Sequence, residues 1–213
     1  ATARDVAVVS AGAENAAIVQ VSAGAGSVVC TVLSTGALRC FGDPRGVGRL
    51  GYNAHMPVGV PNATTIVEAG DVPIGGTVRD VAVSNFGSSA FTCAVLTRGA
   101  LRCFGNARFL GYFPETNWIG GAASVGDGRG PAIEEVGDLP IVRSGEAALS
   151  VAVGNAHACV LMDDGAVRCF GAREYGQLGY SGTNSTPAAM MRPVAGVNVT
   201  LGAGERAVAV ACG

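Results

Sequence analysis

The strongest constraint on the fold is an internal repeat, because one segment of the chain occurs three times. Each copy runs from a first cysteine through a short turn to a second cysteine followed by Phe-Gly, and the first cysteines are Cys30, Cys93 and Cys159. These cysteines lie 63 and 66 residues apart in a chain of 213 residues. A period of this length, divided into short β-branched runs bounded by turns, favours a β-propeller blade over a helical solenoid unit.

Matches on either side of the cysteine segment define the whole unit. A valine-rich run precedes each first cysteine, and a Leu-Gly-Tyr sequence follows each second cysteine. The pattern predicts an all-β fold of propeller blades with four antiparallel strands, comprising about three complete blades and partial ones. The fourth strands are expected near 65–67 and 133–136. One repeat domain would span 1–213, with complete blades at about 19–78, 79–147 and 148–206. Partial blades are expected at 1–18 and 207–213, and the second of these would contain the opening strand of a fourth unit.

The third unit carries the fullest family motif. It reads Gly-Asn-Ala-His-Ala-Cys-Val-Leu from Gly154, Asp-Gly at Asp164, Val-Arg-Cys-Phe-Gly from Val167 and Gly-Gln-Leu-Gly from Gly176. These segments resemble the regulator of chromosome condensation repeat, although the first two units lack the His, and Phe41 and Phe104 stand where that family usually has Trp. The resemblance implies a β-propeller, usually closed with seven blades. It implies no single function, because exchange factors, ubiquitin ligases, enzyme inhibitors and surface proteins all use this repeat.

The paired cysteines are expected to form disulfides across β-hairpins. In the third unit a three-residue loop ending at Gly165 places Cys159 opposite Cys169, and Gly suits the left-handed third position of such a loop. Directly opposite Cβ atoms lie about 4.5–5.5 Å apart, close to the separation in a disulfide. The predicted bridges are Cys30–Cys40, Cys93–Cys103 and Cys159–Cys169. Unbonded core thiols are the alternative; zinc is disfavoured by the wide cysteine spacing and only two His, so no metal is expected.

The seventh cysteine, Cys212, has no partner in this pattern. It aligns with Ala23 and Val153 in the opening strands of other units, and not with a bridging position. Two interpretations remain open. Cys212 is either a buried thiol in an inner strand, or it bonds to a cysteine beyond Gly213 or in another chain.

The cysteine pairs and the sequons both indicate a compartment. Disulfides persist in oxidising environments, which predicts an extracellular or cell-surface protein. Three Asn-x-Ser/Thr sequons, at Asn62, Asn184 and Asn198, lie in the variable stretches after the Leu-Gly-Tyr turns, where surface segments accept N-linked glycan. Together these features predict a secreted glycoprotein.

No group of residues has the pattern of a catalytic site, so neither an enzyme nor a cofactor is expected. His157 occupies the structural His position of the resembled family. The adjacent Asp163 and Asp164 are explained by hairpin-turn chemistry, and Asp71 and Asp138, in two recurring Gly-Asp turns, are expected to be capping groups. The arginine before each second cysteine is expected to have a shared structural role, and these residues are Arg39, Arg102 and Arg168.

A longer loop in the second unit is the candidate protein interface. The segment between the Leu-Gly-Tyr and Gly-Asp turns is seven residues longer there than in the first unit. Phe113 and Trp118 lie in this loop, and aromatic residues on surface loops are enriched at binding sites. The alternative is that Trp118 folds back over the edge of its blade.

Charge and hydropathy limit the possible partners. A formal net charge of −2 provides no basic surface for nucleic acid. No apolar segment approaches the roughly 20 residues that a membrane-spanning helix needs. The expected partners are other protein chains or copies of the chain itself, together with N-linked glycan.

The sequence therefore predicts a non-enzymatic, secreted glycoprotein module: a structural, assembly or protein-interaction propeller of a cell surface, extracellular matrix or filament. A secreted inhibitor or ligand-binding propeller acting on a soluble partner is the alternative. Guanine-nucleotide exchange is a third possibility that the disulfides and sequons disfavour. Because three and a fraction blades leave a blade face open, the chain is expected to be part of a longer polypeptide or a protomer completed by copies of itself.

Overall fold

The computed structural model shows one antiparallel β-sheet in each of the three repeat units. The described residues are 16–24, 27–43, 49–54, 56–84, 91–106, 110, 112, 124–179 and 197–213. The predicted all-β fold of propeller-like blades is confirmed, and the described residues form three consecutive blades. The exact blade limits and the assignment of the whole chain to one domain stay predictions.

The strands of each sheet pair in chain order, as a meander. The first sheet contains β1 (Ile18–Gly24), β2 (Val28–Leu33) and β3 (Leu38–Gly42). The second contains β4 (Val78–Val83), β5 (Phe91–Leu96), β6 (Leu101–Asn106) and β7 (Ser124–Val125). The third contains β8 (Ala148–Val153), β9 (His157–Met162) and β10 (Val167–Gly171). Single-turn helices α1 (Ile66–Ala69) and α2 (Ile133–Val136) precede β4 and β8.

The central hairpins have the register that their turn glycines predict. Cys159 lies opposite Cys169 across the β9–β10 hairpin, and the equivalent cysteines face each other in the other two sheets. Gly165 has φ 81°, and the turn glycines of the other units have φ 80° and 84°. A Cβ atom on Gly99 would lie 2.4 Å from the Cβ atom of Ala147, so a side chain there would clash as well as strain the turn.

The fourth strands predicted near 65–67 and 133–136 are wrong, because α1 and α2 occupy these segments. At the start of α1 the backbone N of Glu68 donates to Thr65 Oγ1 at 3.2 Å, and the Thr65 backbone N donates to the Glu68 carboxylate at 2.9 Å. This capping box begins a helical turn in which only Ile66 is buried. A fourth strand does form in the second sheet, where β7 pairs with the end of β6. Among the described residues no helix has the length and apolarity to cross a membrane.

Adjacent units share a hydrophobic core that runs from the first blade into the third. Strand β4 packs on β1 and β2, and β8 packs on β4 and β5. Phe91, Phe104 and Phe170 are completely buried in this core. The second and third units are therefore each stabilised by the face of the unit before them.

Side chains also join the opening strands of adjacent units. Gln20 Nε2 donates to Asp80 Oδ1 at 2.5 Å and to the carbonyl of Val81 at 3.1 Å, while Gln20 Oε1 accepts from the Val81 backbone N at 3.1 Å. Asp80 in turn accepts a bond of 2.8 Å from the backbone N of Val151. Gln20 and Asp80 occupy the same position, directly after a register shift, in β1 and β4. The first two units thus bind the unit that follows them through the same position.

The segment 207–213 begins where a fourth unit would begin. The backbone N of Ala207 donates to the Gly165 carbonyl at 2.9 Å, as those of Val78 and Ala148 donate to the preceding turn glycines at 2.8 Å. The prediction of a strand here is nevertheless wrong, because the segment is irregular. The described residues contain no following strand with which it could form a hairpin.

Candidate functional sites

Three disulfides brace the hairpins, at the positions that the cysteine spacing predicts. They are Cys30–Cys40, Cys93–Cys103 and Cys159–Cys169, with Cα–Cα distances of 4.1, 4.1 and 4.0 Å. The first two are completely buried, whereas Cys159 and Cys169 are 7% and 4% exposed. Each bridge closes one hairpin inside its blade, and the third lies nearest to solvent.

Tyrosines of the Leu-Gly-Tyr segments bind the backbone beside these disulfides. The Tyr52 hydroxyl accepts from the backbone N of Cys40 at 3.1 Å and donates to the Gly70 carbonyl at 3.2 Å. The Tyr112 hydroxyl accepts from the Cys103 backbone N at 2.7 Å, and burial raises the pKa of Tyr112. Sequence reasoning missed this role, although the constant Cys-to-Tyr order in the repeat was a signal for it.

The recurring arginines and Gly-Asp turns form ion pairs in the first two units. Arg39 Nε donates to Asp71 Oδ1 at 2.7 Å, and Arg102 Nε donates to Asp138 Oδ1 at the same distance. Arg102 also donates to the carbonyl of Ile74, in the preceding unit, at 2.7 Å. Interpreting these aspartates as capping groups was therefore wrong, because their carboxylates neutralise the arginine side chains of the same unit.

Arg168 makes a more extensive set of contacts in the third unit. Its guanidinium donates to both carboxylate oxygens of Glu146 at 2.5 and 2.8 Å, to the Ile141 carbonyl at 2.7 Å and to Asn198 Oδ1 at 2.9 Å. The side chain of Arg168 is only 4% exposed. Hydrogen bonds from Arg168 lower the pKa of Glu146 to about 2. The arginine therefore connects the end of the second unit, which contains Ile141 and Glu146, with the loop of the third unit that contains Asn198.

Two of the three sequons lie among the described residues, and both asparagines are exposed. Asn62 has φ 63°, a left-handed turn conformation that Asn tolerates better than most residues. Asn198 uses its Oδ1 atom to accept from Arg168, and a glycan would attach to the other side-chain atom, Nδ2. Glycosylation at these positions stays a prediction.

Three candidate residues lie outside the described residues. They are the third sequon, Asn184, and the loop aromatics Phe113 and Trp118. Glycosylation at Asn184 and an interface at the long loop of the second unit therefore stay predictions.

An exposed apolar face on β1 is a second candidate interface, which sequence reasoning missed. Ile18 is 43% exposed and Val21 is 60% exposed, and we call these two residues the β1 face. The residues at equivalent positions are buried in both following units: Val78 3%, Val81 2%, Ala148 0% and Val151 6%. The difference arises because each later opening strand packs on the preceding blade, whereas no described unit precedes β1.

A cluster of sulfur and imidazole groups lies at the opposite end of the three units. One nitrogen of His157 and the Sγ atoms of Cys159 and Cys212 all lie within 4.8 Å of one another. His157 is half-buried, and burial lowers its pKa. Cys212 is a free thiol, and its burial raises its pKa. Because Cys159 is already bonded to Cys169, the cluster as it stands offers disulfide chemistry rather than three metal ligands.

Comparison with protein families identifies the repeat of the third unit. Residues 149–177 match the regulator of chromosome condensation (RCC1) repeat. This segment runs from the second residue of β8 through β10 to the Gly-Gln at Gly176, and it contains the third disulfide. No curated protein matches the chain in sequence. The family resemblance read from the motifs is confirmed.

Solved structures of RCC1-type propellers share the fold. Human WBSCR16 superposes with a TM-score of 0.61, covers 95% of this chain and 44% of its own, and is 16% identical. Prp20p from Saccharomyces cerevisiae gives a TM-score of 0.53 over 82% of this chain and 35% of its own, at 17% identity. The chain therefore spans between a third and a half of the length of these proteins. Identities this low show a common fold only.

Proposed function

We propose that the chain is a non-enzymatic protein-interaction module of a secreted or cell-surface glycoprotein, which assembles by receiving a further propeller blade on its β1 face. The observation that carries the proposal is the exposure of Ile18 and Val21 at positions that are buried in both later units. A structural or assembly role in a cell surface, an extracellular matrix or a filament follows from this mode of association.

The packing of the later units indicates the chemistry of the partner. Val78 and Val81 are covered by the first two strands of the preceding blade. The backbone N of Val81 also donates to Gln20 Oε1, as that of Val151 donates to Asp80 Oδ2. The surface that fits the β1 face is therefore apolar, and it carries one Gln or Asp whose side-chain oxygen accepts a hydrogen bond from the Val21 backbone N. Another blade of this repeat type, from an adjoining part of a longer polypeptide or from a copy of the chain, supplies such an apolar surface. In a copy, Ser150 stands at the position of Gln20, and segment 207–213, whose Val210 and Cys212 pack on the third blade, has to leave that surface.

Replacing Val21→Asp is expected to weaken association of the chain with itself or with a separately expressed blade by at least about tenfold, because a carboxylate would be buried against an apolar surface. Val19→Arg is the matched control. Val19 is 63% exposed, and the second unit has an exposed arginine, Arg79, at the equivalent position. Sedimentation velocity over a wide concentration range measures both variants.

Two results would contradict this assembly mode. If Val21→Asp associates as tightly as the wild-type chain, the β1 face is not the contact. If the wild-type chain is a monodisperse monomer at every concentration and binds no added blade, a second copy is not the partner.

The three disulfides support an oxidising compartment, and the exposed sequons support passage through a secretory pathway that adds glycan.

After secretion from a eukaryotic host, we expect the chain to lose mass on treatment with an N-glycosidase. Asn62→Gln and Asn198→Gln should each remove one glycan, whereas Asn53→Gln, an exposed position outside any sequon, should change nothing. Intact-mass measurement detects these differences. Free cysteines with bare Asn62 and Asn198 in the natural protein would exclude the extracellular assignment.

The contacts of the recurring charged residues support a non-enzymatic role. Arg39, Arg102 and Arg168 each bind a carboxylate or carbonyl inside the blades or between them. The contact of Arg39 lies within its own unit, whereas Arg102 and Arg168 also bind carbonyls of the preceding unit. A nucleotide-release assay with a panel of small GTPases tests the exchange-factor alternative, for which the proposal expects no acceleration.

A further inference from the structure

We propose that Cys212 and the Cys159–Cys169 disulfide form a thiol–disulfide exchange site, in which the three cysteines interchange between two pairings. This inference does not depend on the proposed assembly function. It rests on the juxtaposition of a free thiol and a disulfide at the open end of the third blade.

The backbone holds Cys212 beside Cys159. The Cys212 thiol donates to the carbonyl of Ala152 at 3.5 Å, and Ala152 is the direct partner of Cys159 in the β8–β9 register. The Sγ atoms of Cys212 and Cys159 lie within 4.8 Å of each other. Bond formation between Cys159 and Cys212 requires rotation of these two side chains. It does not require the strands of the third blade to separate, so the blade can stay folded.

The first two units lack this arrangement. The start of segment 207–213 is bonded like the starts of β4 and β8, so Cys212 occupies the position of Val83 and Val153. Val83 therefore occupies the position from which a thiol would attack the first disulfide, and Val153 occupies it for the second disulfide. These disulfides are also completely buried, whereas Cys159 is 7% exposed. Exchange is thus specific to the third disulfide.

The reaction is balanced within the chain. The Cys212 thiolate attacks Cys159 Sγ, a Cys159–Cys212 bond forms, the Cys159–Cys169 bond breaks, and Cys169 leaves as a thiolate that takes up a proton. No external oxidant or reductant is consumed. The His157 imidazole, which lies within 4.8 Å of both Cys159 and Cys212 sulfurs, is positioned to accept the Cys212 proton and to return it to the leaving thiolate.

The two pairings differ in what they connect. The Cys159–Cys169 bond joins two strands of one hairpin, whereas a Cys159–Cys212 bond would attach segment 207–213 covalently to the third blade. Exchange would therefore convert a brace within one blade into a link between consecutive units, with Cys169 left as the free thiol.

The decisive variant is Cys169→Ser, which removes the original partner of Cys159. We expect the folded, air-oxidised full chain to form the Cys159–Cys212 disulfide, so that native thiol titration finds no free cysteine and non-reduced peptide mapping finds the Cys159–Cys212 linkage. Two free thiols in the folded variant, or a link from Cys212 to another chain, would overturn the proposal.

The wild-type chain provides a second measurement that does not depend on that variant. The chain is incubated and alkylated under native conditions, quenched with acid and digested at acid pH. We expect the alkyl label on Cys169 as well as on Cys212. Cys212→Val, which introduces the residue found at the equivalent positions, is expected to lower the Cys169 label by at least about tenfold. Label confined to Cys212 in the wild-type chain would overturn the proposal.

Discussion

Replacing Cys93 and Cys103 together with Ala is expected to lower the free energy of unfolding of the chain by about 3 kcal/mol. The bridge spans a sequence separation of 10 residues in the central blade, so its loss increases the entropy of the unfolded chain. Both half-cystines are completely buried, and the two smaller side chains also leave space in the shared core. Urea denaturation followed by far-ultraviolet circular dichroism measures the change.

Cys212→Val is the control for loss of a cysteine outside the central blade, and its effect on the free energy of unfolding is expected to stay within about 0.5 kcal/mol. Reduction of the wild-type chain before unfolding opens all three bridges and should therefore lower the free energy of unfolding by more than the double variant does. A double variant that is as stable as the wild-type chain would show that the hairpin of the central blade does not need its bridge.

Replacing Arg168→Met is expected to lower the free energy of unfolding by about 3 kcal/mol. The Arg168 side chain is 4% exposed and binds two carboxylate oxygens, a carbonyl and an amide oxygen. Met fills much of the same volume, but the Ile141 carbonyl would lose its charged donor. Arg79→Met, at an exposed position of β4, is the matched control and should have almost no effect.

The Arg168 effect has a defined pH dependence. Because the pKa of Glu146 is lowered from 4.5 to about 2 in the folded chain, the ion pair contributes fully to the free energy of unfolding above pH 4.5, and this contribution declines as the pH falls towards 2. The stability difference between wild type and Glu146→Gln should therefore shrink over that interval. An unchanged difference across it would mean that Arg168 acts through its carbonyl and amide bonds alone.

The hairpins could be predicted because their determinants are local. A glycine at the third turn position determines the loop, and the loop determines which cysteines face each other, as at Gly165 for Cys159 and Cys169. The same local reasoning failed for 65–67, where one capping residue, Thr65, and its partner Glu68 decide between helix and strand. Three residues are too few for a periodic pattern to reveal that choice.

The ion pairs could be predicted less well, because their partners come from distant segments. Asp71 and Asp138 recur with the arginines, so the repeat alone could have paired them. Glu146 has no counterpart in such a pair in the first two units, and only the fold brings it to Arg168. The β1 face could not be predicted either, since its sequence is that of any opening strand and it is exposed because no described unit packs on it.

The side-chain bonds between opening strands give the row of units a direction. The Gln20 side chain extends forward to the Val81 backbone N, and the Asp80 side chain extends forward to that of Val151, so the contact joins a side-chain oxygen of one unit to a backbone donor of the next. Two copies joined through this contact use different surfaces, and a two-fold axis cannot relate them. Such a heterologous contact generates a closed ring when the rotation per unit divides a full turn, and a helical fibre with two unlike ends when it does not.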